Sequence, residues 1–160
     1  MSRRDAGPAG RAGKILVVED SPSARRLLQD ILLRLGSDLE NLRLASSPVE
    51  ARELFTRWRP NLVFLDLQLG SAGPDAAPGG SGAASASPES AQDGVELAVL
   101  FRKQDPEVRI IICTASDPDN ARVSRMVRGG EVDFIVKPIL AARIEDILSR
   151  RPVEPSRRGP

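Results

Sequence analysis

Short apolar runs alternate with longer amphipathic stretches along the middle of this chain. Four of the runs are KILVV, NLVFL, RIIIC and DFIV, and a shorter one covers residues 42–45. Runs of this length, bounded by polar residues, are typical of parallel strands that are buried on both faces. The pattern predicts strands near residues 14–18, 42–45, 62–65, 108–113 and 132–136.

The stretches between these strands have the periodicity of amphipathic helices. Pro22 suits a first helical turn, Ser21 can cap it, and Gly36 ends a helix that is predicted to reach Leu35. The apolar stripe of this helix comprises Ala24, Leu27, Leu28, Ile31, Leu32 and Leu35. Further helices are predicted over residues 48–57, 94–103, 118–128 and 141–148. Five strands alternating with five helices imply right-handed crossovers and a doubly wound, three-layer α/β fold.

Composition divides the 160 residues into one structured domain and segments without an apolar pattern. The domain is predicted to cover residues 13–150. Residues 1–12 and 151–160 are predicted to be disordered, and since no apolar pattern follows residue 150, we expect a stand-alone domain without an output domain. Nearly all residues from 71 to 92 are Ala, Gly, Ser or Pro. This composition predicts a flexible insert after the third strand.

Polar groups follow four of the five predicted strands. Glu19 and Asp20 follow the first strand, Asp66 the third, Thr114 the fourth and Lys137 the fifth. The carboxyl ends of parallel strands meet at one sheet edge, where open α/β sheets place their active sites, so we expect these groups to lie together. Singly, each has an ordinary interpretation as a helix cap, turn or loop residue. Together they indicate a functional site.

Three carboxylates beside one lysine restrict the chemistry of such a site. Either a divalent cation lies among the carboxylates, or at least one of them is protonated. Oxygen ligands of this kind suit Mg²⁺ and a phosphate-bearing substrate, and an aspartate there could attack phosphorus to form an acyl phosphate. Lys137 would neutralise charge on the incoming oxygens, and Thr114 could donate a hydrogen bond to one of them.

Composition argues against several other classes of protein. The 23 basic and 22 acidic side chains give a net charge of +1, so no direct binding of nucleic acid is expected. No apolar run has the length of a membrane span or a signal-peptide core, so we expect a cytoplasmic protein without a membrane partner. Histidine is absent, which removes histidine-based metal sites and general bases. The single cysteine, Cys113, lies in an apolar run and is predicted to be a buried thiol.

At these residues the chain resembles the response-regulator receiver domain of two-component signalling. The matching segments are KILVVEDSPSARRLL, NLVFLDLQL, RIIICTAS and DFIVKPI, in the family's order. The resemblance implies a flavodoxin-like fold, like that of chemotaxis regulators, with strand order 2-1-3-4-5. It implies that Asp66 accepts a phosphoryl group and contributes to binding of Mg²⁺. Asp20 would bind the ion directly, Glu19 through water or another carboxylate pose, and Gln68 through its backbone carbonyl.

The same resemblance assigns roles to residues on and after the last two strands. Thr114 and Phe134 would form the switch pair, Lys137 would contact the phosphoryl oxygens, and the peptide bond before Pro138 would be cis. The expected function is a switch rather than an enzyme, although it takes part in its own phosphoryl transfer and dephosphorylation. A sensor histidine kinase or histidine phosphotransfer protein would supply the phosphoryl group. The output would be contact with an unidentified downstream protein.

Three departures from the family pattern accompany this expectation. The segment between Asp66 and residues 93–94 is considerably longer than the family's usual spacing, Gly70 replaces a frequent proline, and Glu131 replaces a small residue. None of them alters the chemical groups. The alternative is a pseudo-receiver that acts without phosphorylation. Such a protein would be expected to lack an acidic residue, the threonine or the lysine, and this chain has all of them. An aspartyl phosphohydrolase of the haloacid-dehalogenase type is disfavoured, because it places a second aspartate where this chain has Gln68.

Overall fold

A computed structural model describes residues 12–69, 88–115 and 121–150, with the side chains of residues 88–93 and 122 excepted. Five parallel strands form one sheet in the predicted order, 2-1-3-4-5. The strands are β1 (Ile15–Val18), β2 (Leu42–Ala45), β3 (Leu62–Asp66), β4 (Arg109–Thr114) and β5 (Asp133–Val136). Asp66 and Thr114 are therefore the last residues of their strands rather than the first residues beyond them.

Helices cover both faces of this sheet. The α-helices of the described ranges are α1 (Pro22–Arg34), α2 (Pro48–Trp58), α3 (Pro88–Gln104), α4 (Ala121–Arg128) and α5 (Ala141–Ser149). Helices α1 and α5 pack on one face, and α2, α3 and α4 pack on the other. The predicted doubly wound, three-layer α/β fold is confirmed. Among these helices, none is long and apolar enough to span a membrane.

Side-chain caps start the first two helices soon after their strands end. Ser21 Oγ accepts a hydrogen bond from the Ala24 amide at 3.4 Å, which confirms the predicted cap. Ser47 Oγ accepts one from the Glu50 amide at 3.2 Å. These bonds satisfy amides that the first turn of a helix leaves unpaired. The chain can therefore turn sharply at the carboxyl edge of the sheet.

Each face of the sheet has its own apolar core. Every residue of β1 and β3 is buried. On one face, Phe55 of α2 and Phe101 of α3 stack with ring centroids 4.1 Å apart. On the other face, Leu28 and Leu32 of α1 pack in one core with Ile144 of α5. Burial of each side chain of this size stabilises the fold by about 1.5–3 kcal/mol, so the strands that carry the polar groups are anchored in a well-packed core.

The start of α3 corrects one prediction. This helix begins at Pro88, so residues 88–92 are helical rather than part of a flexible insert. Proline suits the first turn of a helix, and the following Glu89 and Ala91 are good helix formers, whereas the prediction weighed only the small-residue composition of the whole stretch. The rest of the predicted insert lies in residues 70–87, outside the described ranges. The predicted terminal segments and the predicted start of α4 before Ala121 also lie outside them, apart from Ala12.

Leu27 corrects the predicted apolar stripe of α1. Its side chain is 49% exposed, while Leu28, Ile31 and Leu32 are buried. At about 100° per residue, Leu27 lies on the edge of the stripe furthest from Leu32. The helix buries a narrower face than its sequence pattern suggests.

Arg109 ties the last helix to the amino end of β4. Its Nε donates to Asp133 Oδ2 at 3.1 Å, across to β5. Its Nη2 donates to the carbonyl of Ile147, and its Nη1 donates to that of Arg150 at 3.5 Å. A cation at this position pairs with carbonyls that the end of a helix leaves without partners. The bonds therefore fix the carboxyl end of α5 against the sheet.

Trp58, the single tryptophan of the chain, lies at the amino edge of the sheet. Its ring lies 5.6 Å from Lys14 Nζ and 5.1 Å from Arg43 Cζ, measured to the ring centroid. Lys14 Nζ also donates to the Trp58 carbonyl at 3.1 Å. Both cations are within the range of a cation–π attraction, so two charged side chains help to hold the indole in place.

Candidate functional site

The carboxyl edge of the sheet brings the predicted polar groups together. Glu19 and Asp20 follow β1 directly, Asp66 ends the neighbouring β3, and Lys137 follows β5. Carboxylate oxygens of Glu19, Asp20 and Asp66 all lie within 4.8 Å of one another. Glu19 and Asp66 are only 3% and 4% exposed, and Asp20 is half-buried. The edge therefore carries three acids in a volume that excludes most water.

Lys137 lies against two of these acids. Its Nζ donates to Glu19 Oε2 at 2.9 Å and to Asp66 Oδ2 at 3.2 Å. Its backbone amide donates to the Thr114 carbonyl at 2.7 Å, which holds the start of the lysine's loop against β4. The peptide bond between Lys137 and Pro138 is cis, as the resemblance predicted. One ammonium thus neutralises part of the charge of three carboxylates.

Burial and charge set the protonation of this group. Burial and, after it, the charge of Asp66 raise the pKa of Glu19 from 4.5 to about 7, although the hydrogen bond and charge of Lys137 and the Ser21 amide lower it. Burial lowers the pKa of Lys137, but the hydrogen bond to Glu19 and the charge of Asp66 outweigh burial and raise it overall. The lysine therefore stays charged, while Glu19 exchanges a proton near neutral pH.

A divalent cation fits this set of donors. The three side chains offer only oxygen atoms, which hard cations such as Mg²⁺ prefer. Burial and, after it, the charge of Asp66 raise the pKa of Glu19 despite the neighbouring lysine. An added cation would favour the charged form of Glu19 by the same electrostatic reasoning. The predicted ligands Glu19, Asp20 and Asp66 are therefore together in the structure, with Gln68 two residues after Asp66.

Backbone hydrogen bonds orient the carboxylates. The Ser21 amide donates to Glu19 Oε1 at 3.1 Å, and the Gln68 amide donates to Asp66 Oδ1 at 3.0 Å. Each of the two buried acids therefore accepts one amide and one lysine hydrogen bond, on different oxygens. These bonds fix the direction in which each carboxylate faces.

Thr114 and Phe134 are diagonal neighbours on adjacent strands. Thr114 is 4% exposed and lies two residues after Ile112, whose register partner on β5 is Phe134. Side chains two apart share a face of the sheet, so Thr114 and Phe134 lie on the same face. Phe134 is half-buried and packs against the core formed with α2, α3 and α4. Its ring contacts that core while remaining open to solvent.

Two residues of the site were not predicted to have a role there. A Cβ atom at Gly94 of α3 would lie 2.7 Å from Leu67 Cα and 2.8 Å from the Asp66 carbonyl oxygen, so only glycine permits this approach. Arg25 of α1 donates through Nη1 to the Glu19 carbonyl at 2.8 Å and to the Asp20 carbonyl at 3.4 Å. For Gly94, the sequence did carry a signal, since the family pattern includes the pair at residues 93–94. Arg25 has an identical neighbour in sequence, so the sequence does not single it out.

Comparison with known proteins supports one family. The chain is 26% identical to the chemotaxis protein CheY of Thermotoga maritima over 137 residues, which cover 86% of this chain and 95% of the relative. The crystal structure of the receiver domain of NtrX from Brucella abortus is 28% identical, with a TM-score of 0.61 over 84% of this chain and 93% of that one. The chain carries a response-regulator receiver domain.

One further receiver domain has the same fold. That of the sensor histidine kinase PA1611 from Pseudomonas aeruginosa matches with a TM-score of 0.60 and 22% identity, over 86% of this chain and 94% of that one. Its crystal structure has a magnesium ion coordinated in the active site cleft. No family model matches this chain. The assignment as a receiver domain therefore rests on the relatives and the shared fold.

Proposed function

We propose that this receiver domain is a phosphoacceptor switch in which Asp66 receives the phosphoryl group. The observation that carries the proposal is that Asp66 has a carboxylate oxygen within 4.8 Å of the other two acids and another contact, with Lys137 Nζ, at 3.2 Å. A carboxylate becomes a nucleophile toward phosphorus when cations neutralise the approaching phosphoryl oxygens. Asp66 ends a strand buried in the sheet, so the attacking oxygen is held in place.

In the proposed transfer, an oxygen of Asp66 forms a bond to phosphorus while the bond between phosphorus and the donor breaks. The leaving donor keeps the bonding electrons and takes up a proton, and Asp66 becomes an acyl phosphate. Lys137 would move its hydrogen bond from Asp66 to a phosphoryl oxygen, since ammonium groups bind phosphate as point charges. The low exposure of Asp66 limits the access of water to the product.

Mg²⁺ is the cofactor that we propose for this site. Glu19, Asp20 and Asp66 would hold it, together with the backbone carbonyl of Gln68. When bound, the ion supplies charge that stabilises the phosphoryl oxygens during transfer. The carboxylate cluster supports this role. The magnesium-bound receiver domain of PA1611 has the same fold.

Thr114 and Phe134 are the proposed switch residues. The Thr114 hydroxyl would donate to a phosphoryl oxygen and draw the end of β4 toward Asp66. Phe134 lies diagonally on the same face, so movement of Thr114 changes the space that its half-buried ring can occupy. Phenylalanine has no hydroxyl, so this signal would be burial or exposure of the ring.

A sensor histidine kinase or a histidine phosphotransfer protein would be the phosphoryl donor, as the resemblance to receiver domains implies. The chain itself has no histidine that could carry the phosphoryl group. The output would be binding of a downstream protein to the altered surface. The pseudo-receiver alternative is less favoured, because its sequence mark is the loss of one of the chemical groups, and Glu19, Asp66, Thr114 and Lys137 are all present at the sheet edge.

The proposal is tested by incubating the protein with Mg²⁺ and acetyl phosphate and measuring the intact mass. We expect one phosphoryl group on the wild type and none on Asp66→Asn. Asp30→Asn, an exposed carboxylate on α1, serves as the matched control and should be labelled like the wild type. Equal labelling of Asp66→Asn and the wild type would refute the assignment, and an unlabelled wild type would refute phosphorylation by this route.

A further inference from the structure

Two consecutive arginines on α1 have different surroundings. Arg25 is half-buried, and its Nη1 donates to the backbone carbonyls of Glu19 at 2.8 Å and of Asp20 at 3.4 Å. Arg26 is exposed and lines a groove on the outer side of the helix with Leu27 and Asp30. The same charge thus occurs twice in succession, but only Arg25 reaches the loop that carries the acid pair.

Hydrogen bonds of its own residues also help to hold the loop between β1 and α1. The Glu19 amide is bonded to the Ala45 carbonyl at 3.0 Å, and the Ser21 amide to the Glu19 side chain at 3.1 Å. The Arg25 guanidinium donates through Nη1 to the carbonyl of the Glu19–Asp20 peptide bond and to that of the next one, Asp20–Ser21. Because the donor is charged, it holds these acceptors more firmly than a neutral donor would.

We propose that Arg25 is a positioning residue for the acid pair. It holds the peptide unit between Glu19 and Asp20 in the orientation that directs both side chains toward Asp66. This inference rests on the proposed binding of Mg²⁺ at the three carboxylates. It adds a residue that acts on those carboxylates through the backbone carbonyls to which it donates.

The direction in which the affinity for Mg²⁺ changes when Arg25 is replaced distinguishes positioning from simple electrostatics. Removal of a positive charge close to a cation site should strengthen cation binding, because the repulsion between the two is lost. Loss of a group that orients the ligands should weaken it, and residues that orient metal ligands typically change affinity by roughly ten-fold or more. The two explanations of Arg25 therefore predict changes in opposite directions.

The test is a titration of Arg25→Ala, Arg25→Lys, Arg26→Ala and the wild type with Mg²⁺, monitored by amide resonances. We expect Arg25→Ala to bind Mg²⁺ roughly ten-fold more weakly. Arg25→Lys, which keeps the charge and one donor group, should recover part of that loss. Arg26→Ala should bind as tightly as the wild type or slightly more tightly. Unchanged or tighter binding by Arg25→Ala would overturn the proposal, as would equal weakening in Arg26→Ala.

A second measurement does not involve the metal. Hydrogen exchange of the metal-free proteins should be faster at the Ser21 amide in Arg25→Ala, because its acceptor is the Glu19 side chain. The Leu67 amide, which is bonded to the Cys113 carbonyl across the site, should exchange at the wild-type rate. Unchanged exchange at Ser21, or faster exchange at both amides, would contradict local positioning. If the wild type bound no Mg²⁺, the proposed function would fail, and this measurement would still decide the role of Arg25.

Discussion

Glu19 combines deep burial with an acidic neighbour, and its protonation should affect the stability of the fold. Its pKa is raised to about 7 in the folded protein, above the ordinary value of 4.5. Between these two values the folded state holds a proton that the unfolded state releases. The free energy of unfolding should therefore fall as pH rises from the unfolded pKa through the folded one. Below the unfolded pKa this contribution is fully present.

We predict that Glu19→Gln reduces this pH dependence in metal-free protein. Glutamine stays neutral, so the variant should lose less stability than the wild type between about pH 5 and pH 8. Urea denaturation at several pH values, in the presence of a chelator, measures the effect. Glu53→Gln changes an exposed carboxylate on α2 and should keep the wild-type slope. Parallel curves for Glu19→Gln and the wild type would contradict the raised pKa.

Gly94 provides a second prediction at the level of one residue. Gly94→Ala should destabilise the protein by about 1–3 kcal/mol, because a methyl group would overlap the backbone after Asp66 and force it or α3 to move. It should also slow labelling of Asp66 by acetyl phosphate several-fold. Gly129→Ala is the control, since its nearest contact would be at 3.3 Å, with the Arg125 carbonyl oxygen. Wild-type stability and labelling in Gly94→Ala would show that the contact is not restrictive.

The sequence predicted which residues meet at the carboxyl edge of the sheet better than it predicted the residues that position them. Glu19, Asp66 and Lys137 could be placed because each follows an apolar run, and parallel strands end at one edge. Arg25 and Gly94 act through distances between backbone and side-chain atoms of different elements. No pattern of apolar and polar positions contains those distances.

At the level of elements, local signals decided how well each boundary was predicted. The start of α1 was predicted correctly because Ser21 and Pro22 lie together before an apolar stripe. The start of α3 was not, because Pro88 follows a long run of small residues and no apolar position marks the first turns. Helix propensity is a weak signal without an amphipathic face, so the prediction began only at Gly94.

One side chain from another element holds the carboxyl end of α5, which leads to a third prediction. Arg109→Ala should destabilise the protein by about 1–2 kcal/mol, because carbonyls at the end of α5 and Asp133 lose their donor. Amides in the last turn of α5 should then exchange faster. Arg143→Ala removes a half-exposed arginine of the same helix and should cost about 0.5 kcal/mol or less. Equal effects of the two substitutions would argue against a specific role for Arg109.

At the scale of the whole molecule, the alternation of strands and helices was sufficient to predict the layers. Right-handed crossovers between parallel strands leave few arrangements for five such units. The strand order came from the resemblance to receiver domains, because periodicity alone does not say which strands are neighbours. The structure has this order and separates α1 and α5 from the other helices.

The long connection between β3 and α3 leads to a fourth prediction. Shortening residues 70–87 to about five residues, a common length for such connections, should change the free energy of unfolding by about 1 kcal/mol or less. The buried Leu69 on one side and Gly94 on the other fix the connection close to Asp66 without its middle part. Chemical denaturation of both proteins measures this. A loss of several kcal/mol would show that the removed segment packs on the domain.

The position of Trp58 has a practical consequence for spectroscopy. Its indole is the only one in the chain, and it lies next to Lys14 and Arg43 at the amino edge of the sheet, opposite Asp66. Its fluorescence depends on contacts that connect β1, β2 and α2, so its emission should shift when these elements separate. The proposed Mg²⁺ and phosphoryl group would bind at the carboxyl edge, so we expect them to leave those contacts unchanged. The indole should therefore report unfolding against a constant background during phosphorylation assays.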